Sequence, residues 1–538
     1  MLIRKKPPRS HALGEPLLHQ NHPLPVTRRD FIAAGFLSGP AMVIGPAWLG
    51  GLLKASGASA ALSPDIKALL GSGQCNVPTA AGGLPFICFD LAGGANLVGS
   101  EVLVGVQGGQ RNFLSTAGYG KLGVPGNMVP SSSANIDASL GLLWHADGAI
   151  KRGILSKATT PTAAGTNGAV LCAMSQNDTQ NNPHNPMYGI AKAGAQGLLL
   201  NLIGTESSVS GGNSLAPMTL IDPALQPTTI SQPSDATALV DTGGATADPV
   251  AVAVLESQAR ISGGSSAYVS GNTASFSGAL SAPNAGAPGV QLYSDPMTDT
   301  ALKNQVRCAY VKSANTADAF GNPAALDPTK DPNIIGGATP IFTAADFSDS
   351  DVQKTATVMK LVLNGYAGAG TITLGGYDYH DDSRATGEDR NFKAGQMIGA
   401  VLEYAHRVGK PVMIYVFSDG SLTANSMIDN STGGRGKLGW QGDSASVAST
   451  FFLVYSPTGR PQLRNGVAGQ QIGYFSSDGS VVSTSSPAAN AVNQLVQVVI
   501  LNYMGLMGTD GQFPTRFPMQ SLGSGNALAG LTAFTRIV

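Results

Sequence analysis

Apolar positions along the chain fall into two patterns, one of short unbroken runs and one recurring every three or four residues. The runs are Pro85–Asp90 (PFICFD), Thr371–Leu374 (TITL), Pro411–Phe417 (PVMIYVF) and Phe451–Tyr455 (FFLVY). A continuous apolar run of this length reads as a strand whose two faces are both covered, as in a parallel sheet. The second pattern starts at Asp389, where Phe392, Met397, Ile398, Val401, Leu402, Ala405 and Val408 form one face of an amphipathic helix. Gly409 and Pro411 stop it. An earlier helix is predicted from about Ser350, burying Val352, Ala356, Met359 and Leu363 before Gly365. Helix, strand, helix and strand therefore follow one another over 350–418, a βαβ arrangement with parallel strands. A last helix is predicted over about 489–504, with Val492, Leu495, Val499 and Tyr503 on one side and Asn493, Gln494, Gln497 and Asn502 keeping it out of a bilayer.

The middle of the chain breaks these patterns. Residues 205–290 are rich in Ser, Gly, Ala, Thr and Pro, interrupted by one helical segment, Val250–Ile261. This composition predicts long loops or a loop-rich insertion in the α/β core, and it also allows disorder.

The first 61 residues read as a targeting signal. A basic start (Arg4, Lys5, Lys6, Arg9) leads to Thr27-Arg28-Arg29-Asp30-Phe31-Ile32, the twin-arginine pattern. Phe31–Leu53 is uncharged and mildly apolar, and Ala58-Ser59-Ala60 has the small residues of a cleavage site. A retained anchor needs about 20 apolar residues, but seven Gly and Pro residues interrupt this stretch. The expected partner is the twin-arginine export machinery, through residues 27–32. The expected location is the periplasm or the exterior of a bacterial cell, with no transmembrane segment after cleavage. Residues 62–538 are then expected to form a single large α/β domain.

Export changes the charge balance. Taking the signal's seven basic and two acidic residues from totals of 32 and 33 leaves 25 and 31, a net of −6. Nucleic-acid binding, which needs a basic face, is excluded on this ground. Charged residues are only 12% of the chain, about half the usual share of about 25%. The few ionisable groups therefore stand out. The four cysteines, Cys75, Cys88, Cys172 and Cys308, lack metal-ligand spacing. Buried thiols or a disulfide both remain open.

Ligands of an open parallel sheet bind beyond the carboxyl ends of its strands. Asp90 follows the first apolar run, with Gly93-Gly94-Ala95-Asn96 after it. Asp378 and His380 follow TITL, within Gly375-Gly376-Tyr377-Asp378-Tyr379-His380-Asp381-Asp382, and Asp419 follows PVMIYVF within Ser418-Asp419-Gly420. Carboxylates and an imidazole gathered at one rim can hold a divalent metal ion. Each also suits ordinary turn chemistry, so both readings stay open. Of the other histidines, His406 lies on the Asp389 helix and is expected to be solvated. His184 ends a polar loop running from Ser175. The chain has no G-x-S-x-G, so the ordinary serine esterase elbow is absent. It also lacks G-x-x-x-x-G-K-[ST] and H-E-x-x-H.

With these residues in view, the chain resembles twin-arginine-exported bacterial proteins of unknown function that are distantly related to the alkaline phosphatase and sulfatase superfamily. The resemblance rests on the signal, on Phe89-Asp90-Leu91-Ala92-Gly93-Gly94, on the helix, strand and polar loop from Leu142 to Ser175, and chiefly on Gly375–Gly420. Gly376-Tyr377-Asp378-Tyr379-His380 stands for the family's Gly-aromatic-Asp-Thr-His motif. The resemblance implies a three-layer α/β/α fold with a mostly parallel sheet. It also implies a metal-assisted hydrolase of phosphate or sulfate esters, with Asp90, Asp378, His380 and Asp419 as metal ligands. The chain departs from the family at Ser418-Asp419-Gly420-Ser421, at Ser175-Gln176, and at Gly439-Trp440-Gln441-Gly442-Asp443, where two expected histidines are missing. Either the metal is hard and held by oxygens, or the chain is a catalytically silent binding or assembly protein of the cell envelope.

Overall fold

The computed structural model describes residues 63–71, 81–175, 182–240, 308, 310–311 and 323–538. The targeting signal, Cys75, the Val250–Ile261 segment and most of 241–322 lie outside the described residues.

The four apolar runs become strands of one sheet. They are β1 (Phe86–Gly93), β5 (Ala367–Tyr377), β6 (Val412–Ser418) and β9 (Ser449–Tyr455). Four further strands complete the sheet: β2 (Thr166–Cys172), β3 (Leu200–Gly204), β4 (Thr228–Thr229) and β10 (Gln471–Ile472). Their spatial order is β10-β2-β9-β6-β1-β5-β3-β4. Among the described residues seven strands run the same way, and β9 is antiparallel to β2 and to β6. A hairpin of β7 (Leu422–Asp429) and β8 (Lys437–Asp443) stands outside the sheet. The predicted mostly parallel α/β sheet is thus present. The strands of the predicted βαβ unit are parallel but not adjacent, because β1 lies between β5 and β6.

Alternation along each strand sends side chains to two separate cores. Ile87, Phe89, Ile414, Val416, Phe451 and Leu453 face one layer, and Phe86, Cys88, Met413, Tyr415, Phe417 and Phe452 face the other. Fully burying one such apolar side chain contributes roughly 1.5–3 kcal/mol. The first layer holds α1 (Ala149–Lys157), α3 (Ser350–Leu363) and α4 (Ala385–Arg407). The second holds α2 (Met187–Ala193) and α5 (Val492–Leu506).

Both long helices form for the reasons the sequence suggests. The Asp349 side chain accepts the Asp351 N–H and starts α3. The buried face of α4 is Ala394, Met397, Ile398, Val401, Leu402 and Ala405. Gly409, at φ 63°, ends it. Glycines bring α1 and α4 into backbone contact: a Cβ on Gly395 would lie 2.1 Å from the Ile150 carbonyl oxygen.

Three expectations differ in detail. Asn502 does not face solvent: it is buried, donating to the Val498 and Leu531 carbonyls and accepting the Ala533 N–H. His406 is half-buried, its Nδ1 2.8 Å from the Tyr455 hydroxyl. The described part of the low-complexity stretch, 205–240, supplies the edge strand β4 and, through Ser214, a partner for Asp90. Cys88 and Cys172 are buried free thiols and Cys308 is disulfide-bonded. Among the described residues no helix is long and apolar enough to cross a membrane.

Candidate functional site

All four predicted site residues stand at the carboxyl rim of the sheet, but they form two separate groups. Asp90 shares the strand face of Phe86 and Cys88, so its carboxylate enters the layer of α2 and α5 and is fully buried. One oxygen accepts the Ser214 N–H at 2.7 Å and the other the Ser214 hydroxyl at 3.2 Å. No lysine or arginine among the described residues forms an ion pair with it. Burial pushes the Asp90 carboxyl up to about 7; the Ser214 bonds oppose the shift and the nearby Asp419 charge adds to it.

Asp419 follows the last residue of β6, on the same face as Phe417. It is buried, and its Oδ1 accepts the Asn182 side-chain amide at 2.7 Å. Its neighbour Ser418 latches the exit of β1, donating to the Leu91 carbonyl at 2.7 Å and accepting the Ala95 N–H at 2.9 Å. Asn96 is likewise engaged in that turn, with the Leu422 carbonyl and the Val98 N–H.

Asp378 and His380 behave differently. Tyr377 and Tyr379 point into the core, so the alternate residues Asp378 and His380 point to solvent. They pair with each other, His380 Nε2 to Asp378 Oδ1, at 2.8 Å. The third member of their group is neither Asp90 nor Asp419 but Asp443, and one ligand atom from each of the three lies within 4.8 Å of the others. The β7–β8 hairpin delivers it: Asp443 pairs with Leu422 at the hairpin's base, beside Gly94 in the β1 exit turn. One imidazole nitrogen and two carboxylates that converge in this way fit a divalent cation.

Beside Asp419 the structure assembles a pair not legible in the sequence. Ser175 stands three residues beyond β2, with its N–H on the Ala445 carbonyl. Its Oγ lies 2.8 Å from His184 Nε2 and accepts the Gly420 N–H and the Asn182 amide, each at 3.2 Å. The imidazole stacks on Phe417, with ring centroids 5.7 Å apart and planes 11° apart. Burial alone pushes His184 down to about 4. Its Nδ1 has no hydrogen-bond partner among the described residues. Two sequence signals pointed towards it: the scarcity of histidine, seven in 538 residues, and the dense polar loop from Ser175 that His184 ends.

A third group of ionisable residues lies on the opposite face, where α1, α4 and the hairpin meet. Glu388 accepts Arg384 Nε at 3.0 Å, Lys437 Nζ at 2.7 Å and Arg152 Nη2 at 2.6 Å. The Arg384 guanidinium lies 4.4 Å from the Trp440 ring centroid. Burial would raise the Glu388 carboxyl, but Arg384 and Lys437 outweigh it and hold it below the usual range. Glu101, nearby, accepts the Ile150 N–H and the Asn391 amide; burial, then the charge of Glu388, raises its carboxyl.

Comparison with known proteins adds no relative: no protein-family model, curated protein or solved structure matches the chain.

Proposed function

We propose that this chain is an exported hydrolase of phosphate or sulfate esters, built on an alkaline phosphatase-like fold, that works with a divalent cation at the carboxyl rim of its sheet. The observation that carries the reading is the convergence of Asp378, His380 and Asp443. These three residues would hold the cation, with Asp90 and Asp419 lining the rim behind them. A divalent cation bound there would supply a Lewis acid for the ester. The chain's own part is to hold its ligands still: Tyr377 and Tyr379 anchor the segment in the core. Seven parallel strands, one antiparallel strand and helices on both faces support the fold. The twin-arginine pattern at 27–32 supports export, and the disulfide at Cys308 suits an oxidising compartment.

The test is metal analysis of the purified mature protein, followed by assay with p-nitrophenyl phosphate and p-nitrophenyl sulfate. Stoichiometric metal, with turnover abolished in Asp378→Ala, is the expected result; neither metal nor turnover would overturn it. For export, Lys in place of both Arg28 and Arg29 is expected to leave the precursor in the cytoplasm, and normal export of that variant would refute the targeting assignment. A second reading, a silent binding or assembly protein of the envelope, is favoured by closure of the inner rim, where Asp90, Ser175, His184 and Asp419 are each at most 1% exposed.

A further inference from the structure

We propose that Ser175 and His184 form a nucleophile–base dyad for carboxylic esters, a second activity at the carboxyl rim that does not depend on the cation reading.

Hydrogen-bond bookkeeping around Ser175 carries the proposal. Its hydroxyl oxygen has two lone pairs and one proton. The Gly420 N–H and the Asn182 amide are both donors, and both point at Oγ. They occupy the lone pairs, so the hydroxyl proton goes to His184 Nε2, 2.8 Å away. Nε2 is therefore the bare acceptor nitrogen, and the neutral ring carries its proton on Nδ1. This is the protonation state in which a serine can hand its proton to an imidazole. Here the ring is held by its stacking on Phe417, where other dyads use an acid.

A purely structural serine–histidine pair explains the arrangement less well. A buried donor left without a partner is destabilising, and Nδ1 is such a donor among the described residues. An apolar pair in the same space would avoid that cost. The substrate class follows from the surroundings. The Asp419 carboxyl stands beside the dyad, linked to Ser175 through Asn182, which disfavours an anionic phosphate there and leaves a neutral ester unopposed. Asn182 bridges Ser175 Oγ and Asp419 Oδ1.

The steps balance without a further reactant. Oγ bonds to the ester carbonyl carbon as its proton passes to Nε2. The tetrahedral adduct collapses, the bond to the alkoxide oxygen breaks, and that oxygen takes the proton and leaves as the alcohol. Water then adds to the acyl carbon, giving a proton to Nε2, which returns it to Oγ as the carboxylic acid departs.

The test is active-site labelling of the full mature chain with a fluorophosphonate, followed by digestion and peptide mass mapping. One phosphonyl group on Ser175 is expected, with fluoride released, and a burst of about one p-nitrophenol per chain from p-nitrophenyl acetate. His184→Gln is expected to slow labelling about 10²-fold or more, and EDTA to leave it unchanged. EDTA insensitivity separates this proposal from the cation-dependent hydrolase, which can fail or succeed independently. Absence of an adduct on Ser175 in the wild-type protein would overturn it, as would an unchanged labelling rate in a folded His184→Gln. The wild-type mapping decides the question even where a variant does not fold.

Discussion

The two faces of the sheet each bury acidic side chains, and they neutralise them by opposite means. Under the hairpin, the Glu388 carboxylate is met by Arg384, Lys437 and Arg152 at 3.0, 2.7 and 2.6 Å. At the carboxyl rim, Asp90 is met among the described residues by hydroxyl and amide donors, with a second carboxyl nearby. Taking a carboxylate out of water is expensive, and it is offset either by a cation or by a proton. The hairpin side supplies cations from the chain to Glu388, so that charge is fixed and its role is to hold three elements together. The rim supplies none to Asp90, so the group keeps a proton up to about pH 7. A chain with so few charged residues has placed them where this difference matters.

The sharpest way to break the comparison is to remove one partner from each side. Lys437→Met removes one of the three cations that meet Glu388 and is expected to cost about 1.5–3 kcal/mol, the worth of a hydrogen bond to a charged group. Asp90→Asn at pH 8 is expected to cost nothing or to stabilise, because the amide never has to ionise in the interior. Urea unfolding midpoints at matched m-values measure both. Equal losses would show that the rim acid is as structural as the hairpin one.

The next effect is smaller per pH unit but has a definite sign. Asp90 is raised from an ordinary 3.8 to about 7. Its contribution is full below pH 3.8 and is lost as the pH climbs through 7. His184 is lowered from 6.5 to about 4. Its contribution is full above pH 6.5 and is lost as the pH falls through 4. Between those limits the two slopes are opposite and cancel, because the folded chain holds a carboxylic acid and a neutral imidazole where the unfolded chain holds both ions. Asp90→Asn should therefore uncover a rise of about 1.4 kcal/mol per pH unit between roughly pH 4 and 6.5, and His184→Gln a fall of similar slope. Other buried groups, His145 and Glu101 among them, are common to all three proteins and drop out of the differences. Denaturant titrations at three pH values measure the slopes; parallel curves for all three would refute the assignment.

What the sequence made legible follows the same physics. PVMIYVF could be read as a doubly covered strand because nothing polar interrupts it, and the Asp389 helix because its period is clean. The direction of β9 was not readable, since FFLVY looks the same in a parallel or an antiparallel neighbour. Strands β2 (TNGAVLC) and β3 (LNLIG) carry Asn, Gly and Thr that also suit loops. At the site, Asp90 and Asp419 could be placed at one rim by counting strand ends. Their separation from Asp378 and His380 could not, because it turns on which face each side chain leaves. Asp443 reaches the rim only through the pairing of a hairpin, and His184 meets Ser175 only in the folded chain. Contacts made across turns leave no periodic signal.

The smallest effect on stability belongs to the outermost group, and it separates structure from function most cleanly. His380 and Asp378 are 39% and 48% exposed at the side chain. An exposed ion pair is worth about 0.2–1 kcal/mol, so Asp378→Ala is expected to leave the metal-free melting curve almost unchanged. Metal should then reveal the difference. A cation that binds only the folded chain stabilises it by about 2.7 kcal/mol at a hundred times its dissociation constant. That gain should appear with Zn²⁺ or Mn²⁺ in the wild-type protein and vanish in Asp378→Ala and in Asp443→Asn. In Asp90→Asn it should survive, since Asp90 lies outside the converging triad. If Asp90→Asn also loses the metal-dependent shift, the cation sits on the buried rim, and the division into an inner protonated acid and an outer liganding triad fails.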